Sequence, residues 1–194
     1  QYLRIDLMED LFLEYLKELI FFFIIVEEDD CYYLKENYES EKIILNKLEV
    51  LMRKPCDKYK KLELKLEEVE KNSGIEYNEK QKEAIRKALT NNLLIITGGP
   101  GTGKTTIIKA IVELYQRLNN FDDEEVKKNL ALLAPTGRAS KRMSEATLYP
   151  ATTIHRFLKW NKENNRFGID EYNKDNSRLI IIVAVRLMDL NLFD

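Results

Sequence analysis

The sequence predicts an α/β fold with a parallel sheet, preceded by a small, mostly helical module. Three observations predict it. Short apolar runs at residues 93–96, 130–134 and 179–185 alternate with helical patterns, the order that builds a parallel sheet with crossover helices. A glycine-rich turn, Gly98-Gly99-Pro100-Gly101-Thr102-Gly103, joins the first run to a helical pattern ending near Leu118. The 194 residues, 33% charged and 44% hydrophobic, are ordinary for a globular protein and enough for one or two domains.

From the amino end, Leu7, Leu11, Leu16 and Leu19 fall near helical spacing. Residues 21–26 read as a buried strand, Glu28-Asp29-Asp30 as a polar turn, and Cys31-Tyr32-Tyr33-Leu34 as the returning strand. A helix followed by a hairpin outlines a winged-helix-like module. The acidic turn opposes phosphate contact, which favours a structural or protein-docking role over DNA binding. Residues 39–54 form a second helical pattern, with Ile43, Ile44, Leu48 and Leu51 on one face and Pro55 as its stop. Residues 59–72 are charged and helical, ended by Ser73-Gly74. The boundary is therefore expected near Ser73, between a module with its connector at 1–72 and a sheet domain at 73–194.

Beyond the glycine-rich turn, residues 119–129 read as a polar, acid-rich loop and 130–134 as a strand. Residues 138–146 and 153–160 have helical character, and the Asn-rich stretch 161–177 reads as surface loop. The apolar run 179–185 has the character of a central parallel strand. These strands are few for such a sheet, and the chain opens on Gln1 rather than Met, so it is expected to be a truncated part of something larger.

Three clusters carry chemistry. The run from Gly98 to Lys104-Thr105-Thr106, set between strand and helix, is the pattern of a phosphate-binding P-loop. Its glycines let backbone N–H groups close around phosphates, and the helix dipole adds positive charge there. Lys104 would reach the β- and γ-phosphates of ATP, and the Thr105 hydroxyl would ligate Mg2+. Ahead of it, Asn78 and Gln81 have the spacing of a capping box, while the Gln81 amide also suits an adenine edge; both roles are compatible with the sequence.

The second cluster, Pro135-Thr136-Gly137-Arg138 with Lys141 and Arg142, places hydroxyls and cations after a strand. It reads either as a solvated basic helix face or as a phosphate-contacting edge for single-stranded nucleic acid. Its place at the carboxyl end of a strand favours the second, because ligands gather at that edge. The third cluster, Thr153, His155 and Arg156, extends the same edge. The lone histidine receives no acid–base role. Phe157 and Trp160 suit a core, although an exposed ring could stack a base.

In order, the Gln81 segment, GGPGTGKTT, APTGRASKRM and ATTIHRFLKW resemble the first motor domain of superfamily 1 DNA helicases. The closest likeness is to the RecD-like group, which includes the α subunit of exodeoxyribonuclease V. The resemblance covers residues 77–194 and, less specifically, the helix–hairpin of residues 6–34. It implies a RecA-like P-loop NTPase fold and ATP-driven 5′-to-3′ translocation on single-stranded DNA, with unwinding in recombination and repair. It also implies that Gln81 contacts adenine, that residues 98–106 hold ATP and Mg2+, and that Pro135 to Arg142 and Thr153 to Arg156 track DNA. Nuclease or helicase subunits of a larger complex are implied partners.

One departure bears on catalysis. Family members follow their apolar strand with an Asp-Glu pair that holds Mg2+ and activates water. Here the strand runs into Ala184-Val185-Arg186-Leu187-Met188-Asp189, and Asp189 matches a later family position. Either the chain is defective in hydrolysis or its sequence is altered at this point. The motor's second RecA-like domain, with its arginine finger, is also absent, so this part alone is expected not to unwind DNA.

Composition excludes some classes. A net charge of -2 means that any nucleic-acid contact is local. Cys31 and Cys56 form no CxxC pair, and with one histidine no zinc site is expected, as in a reduced, cytoplasmic protein. The longest apolar run, residues 19–26, is too short to span a bilayer and has no signal-peptide flanks. Other readings of the same residues are an ATPase or kinase unrelated to DNA, and a nucleotide-responsive module that does not hydrolyse.

Overall fold

The computed structural model of the chain describes residues 9–56, 59–170 and 172–183. Its contacts divide it into two units, Gln1–Pro55 and Cys56–Asp194.

The first unit contains α1 (Glu9–Phe21), a hairpin of β1 (Ile25–Glu28) and β2 (Cys31–Leu34), and α2 (Lys35–Met52). The strand expected from Phe21 starts only at Ile25. Phe21 closes α1, and the N–H groups of Phe22 and Phe23 fold back onto Glu18 and Ile20, so ladder pairing begins at Ile25 opposite Leu34. Asp29 and Asp30 both take positive φ (51° and 58°), the backbone that a two-residue hairpin with right-twisted strands requires. Glu28 ties the hairpin to α2 by accepting from Tyr38 Oη at 2.8 Å and Lys42 Nζ at 3.1 Å. These two bonds, Tyr38 first, hold its carboxyl below the usual range. The apolar face expected on α2 is not covered within the unit: Ile43 and Ile44 are 57% and 58% exposed, and α2 has no buried residue. Leu16 is the one described residue of this unit that is buried.

The second unit holds the main core. Its helices are α3 (Leu62–Ser73), α4 (Glu79–Thr90), α5 (Lys104–Asn119), α6 (Asp123–Asn129), α7 (Gly137–Thr147) and α8 (Ile154–Phe157). Its sheet runs β4-β3-β7, with β3 (Leu130–Ala134) paired in parallel to β4 (Ala151–Thr153) and to β7 (Leu179–Ile182). A separate hairpin pairs β5 (Trp160–Asn161) with β6 (Arg166–Phe167). Helix α5 is the hub, packing on α3, α4 and α7. It buries Ile107, Ala110, Ile111 and Leu114 against Leu66 and Val69 of α3, Ile85 of α4, Leu132 of β3 and Met143 of α7. Each fully buried Leu or Ile contributes roughly 1.5–3 kcal/mol.

Helix α3, expected in a connector, belongs with this core, so the contacts divide the chain earlier than Ser73. Polar staples reinforce the α3–α4 pair. Arg86 makes a two-pronged pair with Glu63 at 2.8 and 2.9 Å, and Lys82 meets Glu70 at 3.1 Å. Glu70 also accepts the Tyr77 N–H at 2.8 Å, which fixes the approach to α4.

Other elements differ from expectation. Residues 93–96 form no ladder with any described strand, and Ile95 is 78% exposed. An apolar run is a strand only when a neighbour completes its hydrogen bonds. For the same reason β7, expected at the centre, lies at an edge of the described sheet, with Ile180 and Ile182 48% and 58% exposed. The predicted loop 119–129 contains α6, whose Asp122 accepts from the Glu124 and Glu125 N–H groups in a capping box. The loop 161–177 carries part of the β5–β6 hairpin, and β4 precedes the helix expected from Thr153. No disulfide joins Cys31 to Cys56. No helix among the described residues is long and apolar enough to cross a membrane.

Candidate functional site

The turn from Gly98 to Gly103 leads directly into α5. Gly101 and Gly103 have φ of +74° and +82°, and the Thr102 hydroxyl donates to the Gly99 carbonyl at 2.9 Å, which curls the loop. Lys104 is the first residue of α5, and its Nζ reaches back to the Gly98 and Gly99 carbonyls at 2.7 and 2.5 Å. Pro100 is exposed between them, and Thr105 and Thr106 are half-buried in the first turn.

This helix start fits an anion. Gly103 at the N-cap supplies no side-chain acceptor, and the first turn holds no acidic residue. The leading N–H groups of a 16-residue helix are thus left for a ligand's oxygens. The Thr105 hydroxyl has no hydrogen bond to a described residue, as a group kept for a metal would. Among the described residues no group of three His, Cys, Asp or Glu could hold a metal. Thr105, next to Lys104 in the first turn of α5, is the residue expected from the sequence to meet Mg2+. Residues 184–189, where the acidic pair was sought, lie outside the described residues.

Gln81 stands against this loop. Its backbone N–H donates to Asn78 Oδ1 and its Oε1 accepts the Asn78 N–H, both at 3.0 Å, so the capping box is present. Its Nε2 points the other way, to the Thr102 carbonyl at 3.4 Å. A Cβ on Gly103 would stand 2.7 Å from that Nε2 and push the amide away, and the φ of +82° itself favours glycine there. The α3–α4 staples set where α4 starts, and α4 sets where Gln81 meets the loop.

The two basic clusters converge. In the register of β3 and β4, Ala134 lies opposite Thr153, so both strands end at one edge. Pro135 is half-buried just past β3. Thr136 caps α7 by accepting the Ala139 N–H at 3.2 Å, and Thr153 caps α8 by accepting the Arg156 N–H at 3.2 Å. Each hydroxyl accepts with its oxygen and keeps its own proton to donate. Gly137 opens α7, from which Arg138, Lys141 and Arg142 project exposed, as does Arg156 from α8. None of these four cations makes an ion pair with a described residue, whereas Lys82, Arg86, Lys87, Arg117 and Lys127 all do.

His155 is exposed, and its ring lies 6.4 Å from those of Trp160 and Phe167. Trp160 and Phe167 face each other across the β5–β6 ladder at 4.6 Å, and both remain exposed, at 37% and 42%. Phe157 is half-buried, in keeping with a packing role. Sequence reasoning missed Phe167. The available signal was an aromatic on either side of an Asn-rich turn.

Comparison with known proteins shows the family. The ATP-dependent RecD2 DNA helicase of Deinococcus radiodurans is 35% identical over 89 residues, 46% of this chain and 11% of that protein. A RecBCD enzyme subunit RecD of Buchnera aphidicola is 30% identical over 176 residues, 81% of this chain and 28% of the relative. The RecD subunit of Mycobacterium tuberculosis is 30% identical over 130 residues, 59% and 22% respectively. The chain thus spans a minor part of each relative. Residues 81–193, more than half of the chain, match a family model described as an AAA domain. The chain therefore belongs to this AAA domain family, as a RecD-like fragment with RecD helicases among its relatives.

Proposed function

We propose that this chain is the ATP-binding portion of a RecD-like helicase that couples ATP hydrolysis, in the longer protein, to 5′-to-3′ movement along single-stranded DNA. The observation that carries this is a juxtaposition within one core. An uncapped α5 start follows a glycine loop, and α5 packs on α7, whose own start forms a hydroxyl-and-cation edge with α8.

In this reading the loop from Gly98 to Gly103 and the first N–H groups of α5 cradle the phosphates of ATP. Lys104 exchanges its two carbonyl partners for phosphate oxygens, and Thr105 ligates Mg2+, which neutralises phosphate charge. Gln81 keeps Asn78 capped while its Nε2 turns from Thr102 to the adenine edge. Thr136 and Thr153 donate their hydroxyl protons to DNA phosphates, and Arg138, Lys141, Arg142 and Arg156 add charge. The direction of movement, the repair role and the subunit partners rest on the likeness to RecD proteins. The sequence of residues 184–189 holds no acidic pair to activate water, so hydrolysis in the longer protein requires that the sequence is altered there. Nucleotide binding is the part of the reading that this chain's own residues carry.

Titration with Mg·ATP tests the nucleotide half. Losing the charge-assisted bonds of Lys104 costs about 1.5–3 kcal/mol, so Lys104→Ala is expected to weaken binding roughly tenfold to a hundredfold. Unchanged affinity would remove the assignment. For the DNA half, Arg138→Ala with Lys141→Ala is expected to weaken single-strand binding and flatten its salt dependence. Binding indifferent to salt and to both changes would favour an ATPase or kinase with no DNA role.

A further inference from the structure

A cavity of about 1000 Å3 opens at the starts of β3 and β4, bordered by the segment that returns from the β5–β6 hairpin to β7. None of residues 98–106 lines it. Its lining includes the half-buried aromatics Tyr149 and Phe157 and the cations Lys128, Arg156, Lys159 and Lys174. None of those four cations is ion-paired with a described residue. A fifth, Lys127, is held by Glu124 at 2.6 Å. Asp175 is the only carboxylate among the described lining residues, and it accepts the Ser177 N–H at 2.8 Å.

Gathering unpaired cations around one concavity costs Coulomb energy, and in a chain of net charge -2 the general field does not explain it. A bound polyanion reverses the sign of that cost. The apolar rings among the cations narrow the choice. A duplex turns its phosphates outward and hides its bases, so the rings would have nothing to hold. An unpaired strand presents both, phosphates for the cations and flat base faces for the rings. Continuity points the same way, because Arg156 lines this cavity and also belongs to α8, whose cap Thr153 lies at the carboxyl edge beside Ala134.

We propose that this cleft is a second binding surface for single-stranded nucleic acid, entered past Arg156 by a strand already lying on the Thr136–Thr153 edge. It rests on the nucleic-acid reading above and extends it to residues on the other side of α8. Lys128 and Lys174 take phosphates, and Tyr149 and Phe157 border the bases.

Single-strand binding by the full-length protein, measured against salt, tests it. Each phosphate contact on a single strand adds roughly 0.7 to the slope of log affinity against log salt. Lys128→Gln with Lys174→Gln is expected to flatten that slope by about 1.4, so the loss between 50 and 200 mM salt shrinks about sevenfold. Mg·ATP affinity should be unchanged, which shows that the variant is folded. A strand carrying a photoreactive thymine is expected to crosslink to Tyr149 or Phe157. If the slope stays the same while Arg138→Ala with Lys141→Ala flattens it, the cleft is overturned and the edge reading stands. If neither variant moves the slope, both fall.

Discussion

Replacing Gly103 by alanine probes whether Gln81 and the phosphate loop are one structural device. Gly103 sits at φ +82°, where an L-residue costs about 1–2 kcal/mol. The new methyl would also stand 2.7 Å from Gln81 Nε2, which must move off the Thr102 carbonyl. Losing that bond adds about 0.5–1.5 kcal/mol, and the stiffer unfolded chain returns about 0.4–1 kcal/mol. The net expectation for Gly103→Ala is a loss of roughly 0.5–3 kcal/mol, read by urea denaturation. Gly99→Ala is the control: its φ is not positive and its methyl meets nothing within 4 Å, so stability should hold within about 0.5 kcal/mol. Adding Gln81→Ala should relieve the steric part, giving a coupling of at least about 0.5 kcal/mol in a double-mutant cycle. Equal stability of the Gly99 and Gly103 variants, or zero coupling to Gln81, would refute the contact.

Two further outcomes are expected. Tyr149 donates its hydroxyl to the Val126 and Leu130 carbonyls, both at 3.0 Å, and burial pushes its pKa up to about 12. Tyr149→Phe should cost about 1–2 kcal/mol at pH 7. Because the folded value lies above the unfolded one, the wild type should lose stability as pH rises from about 10 toward 12, a loss the variant lacks. Glu70 is held below its usual range, first by the Tyr77 N–H and also by Lys82. Its contribution is present at neutral pH and fades as pH falls from about 4.3 through the folded value. Glu70→Gln should therefore be less stable at pH 7 by about 1–2 kcal/mol, with the gap narrowing in acid denaturation curves. A gap that did not narrow at all as pH fell below about 4.3 would contradict this.

Features carried by neighbouring residues were legible in the sequence, and features that depend on distant partners were not. The Asn78–Gln81 capping box spans four positions, so spacing alone revealed it. The same signature at Asp122 and Glu125 was present, but the acidic composition of 119–129 was read as loop. The run 93–96 has a strand's composition, yet pairing requires a neighbour no local pattern can report. The site divides likewise. The glycine loop is contiguous, whereas the convergence of Thr136 with Thr153 depends on β3 lying beside β4 in register. Phe167 joins Trp160 only because a hairpin folds them together.

The packing of α5 on α7 has a mechanical consequence. The two helices are in contact, and Met143 of α7 shares one buried cluster with Ile107, Ala110, Ile111 and Leu114 of α5. A close-packed seam has little compressibility, so it transmits displacement rather than absorbing it. Any tilt imposed at the Lys104 end of α5 must carry α7 along or force a discrete repacking of Met143. The phosphate loop and the cationic edge are thus joined through a stiff seam, and softening it at Met143 would weaken their coupling while leaving both candidate ligand-binding surfaces chemically intact.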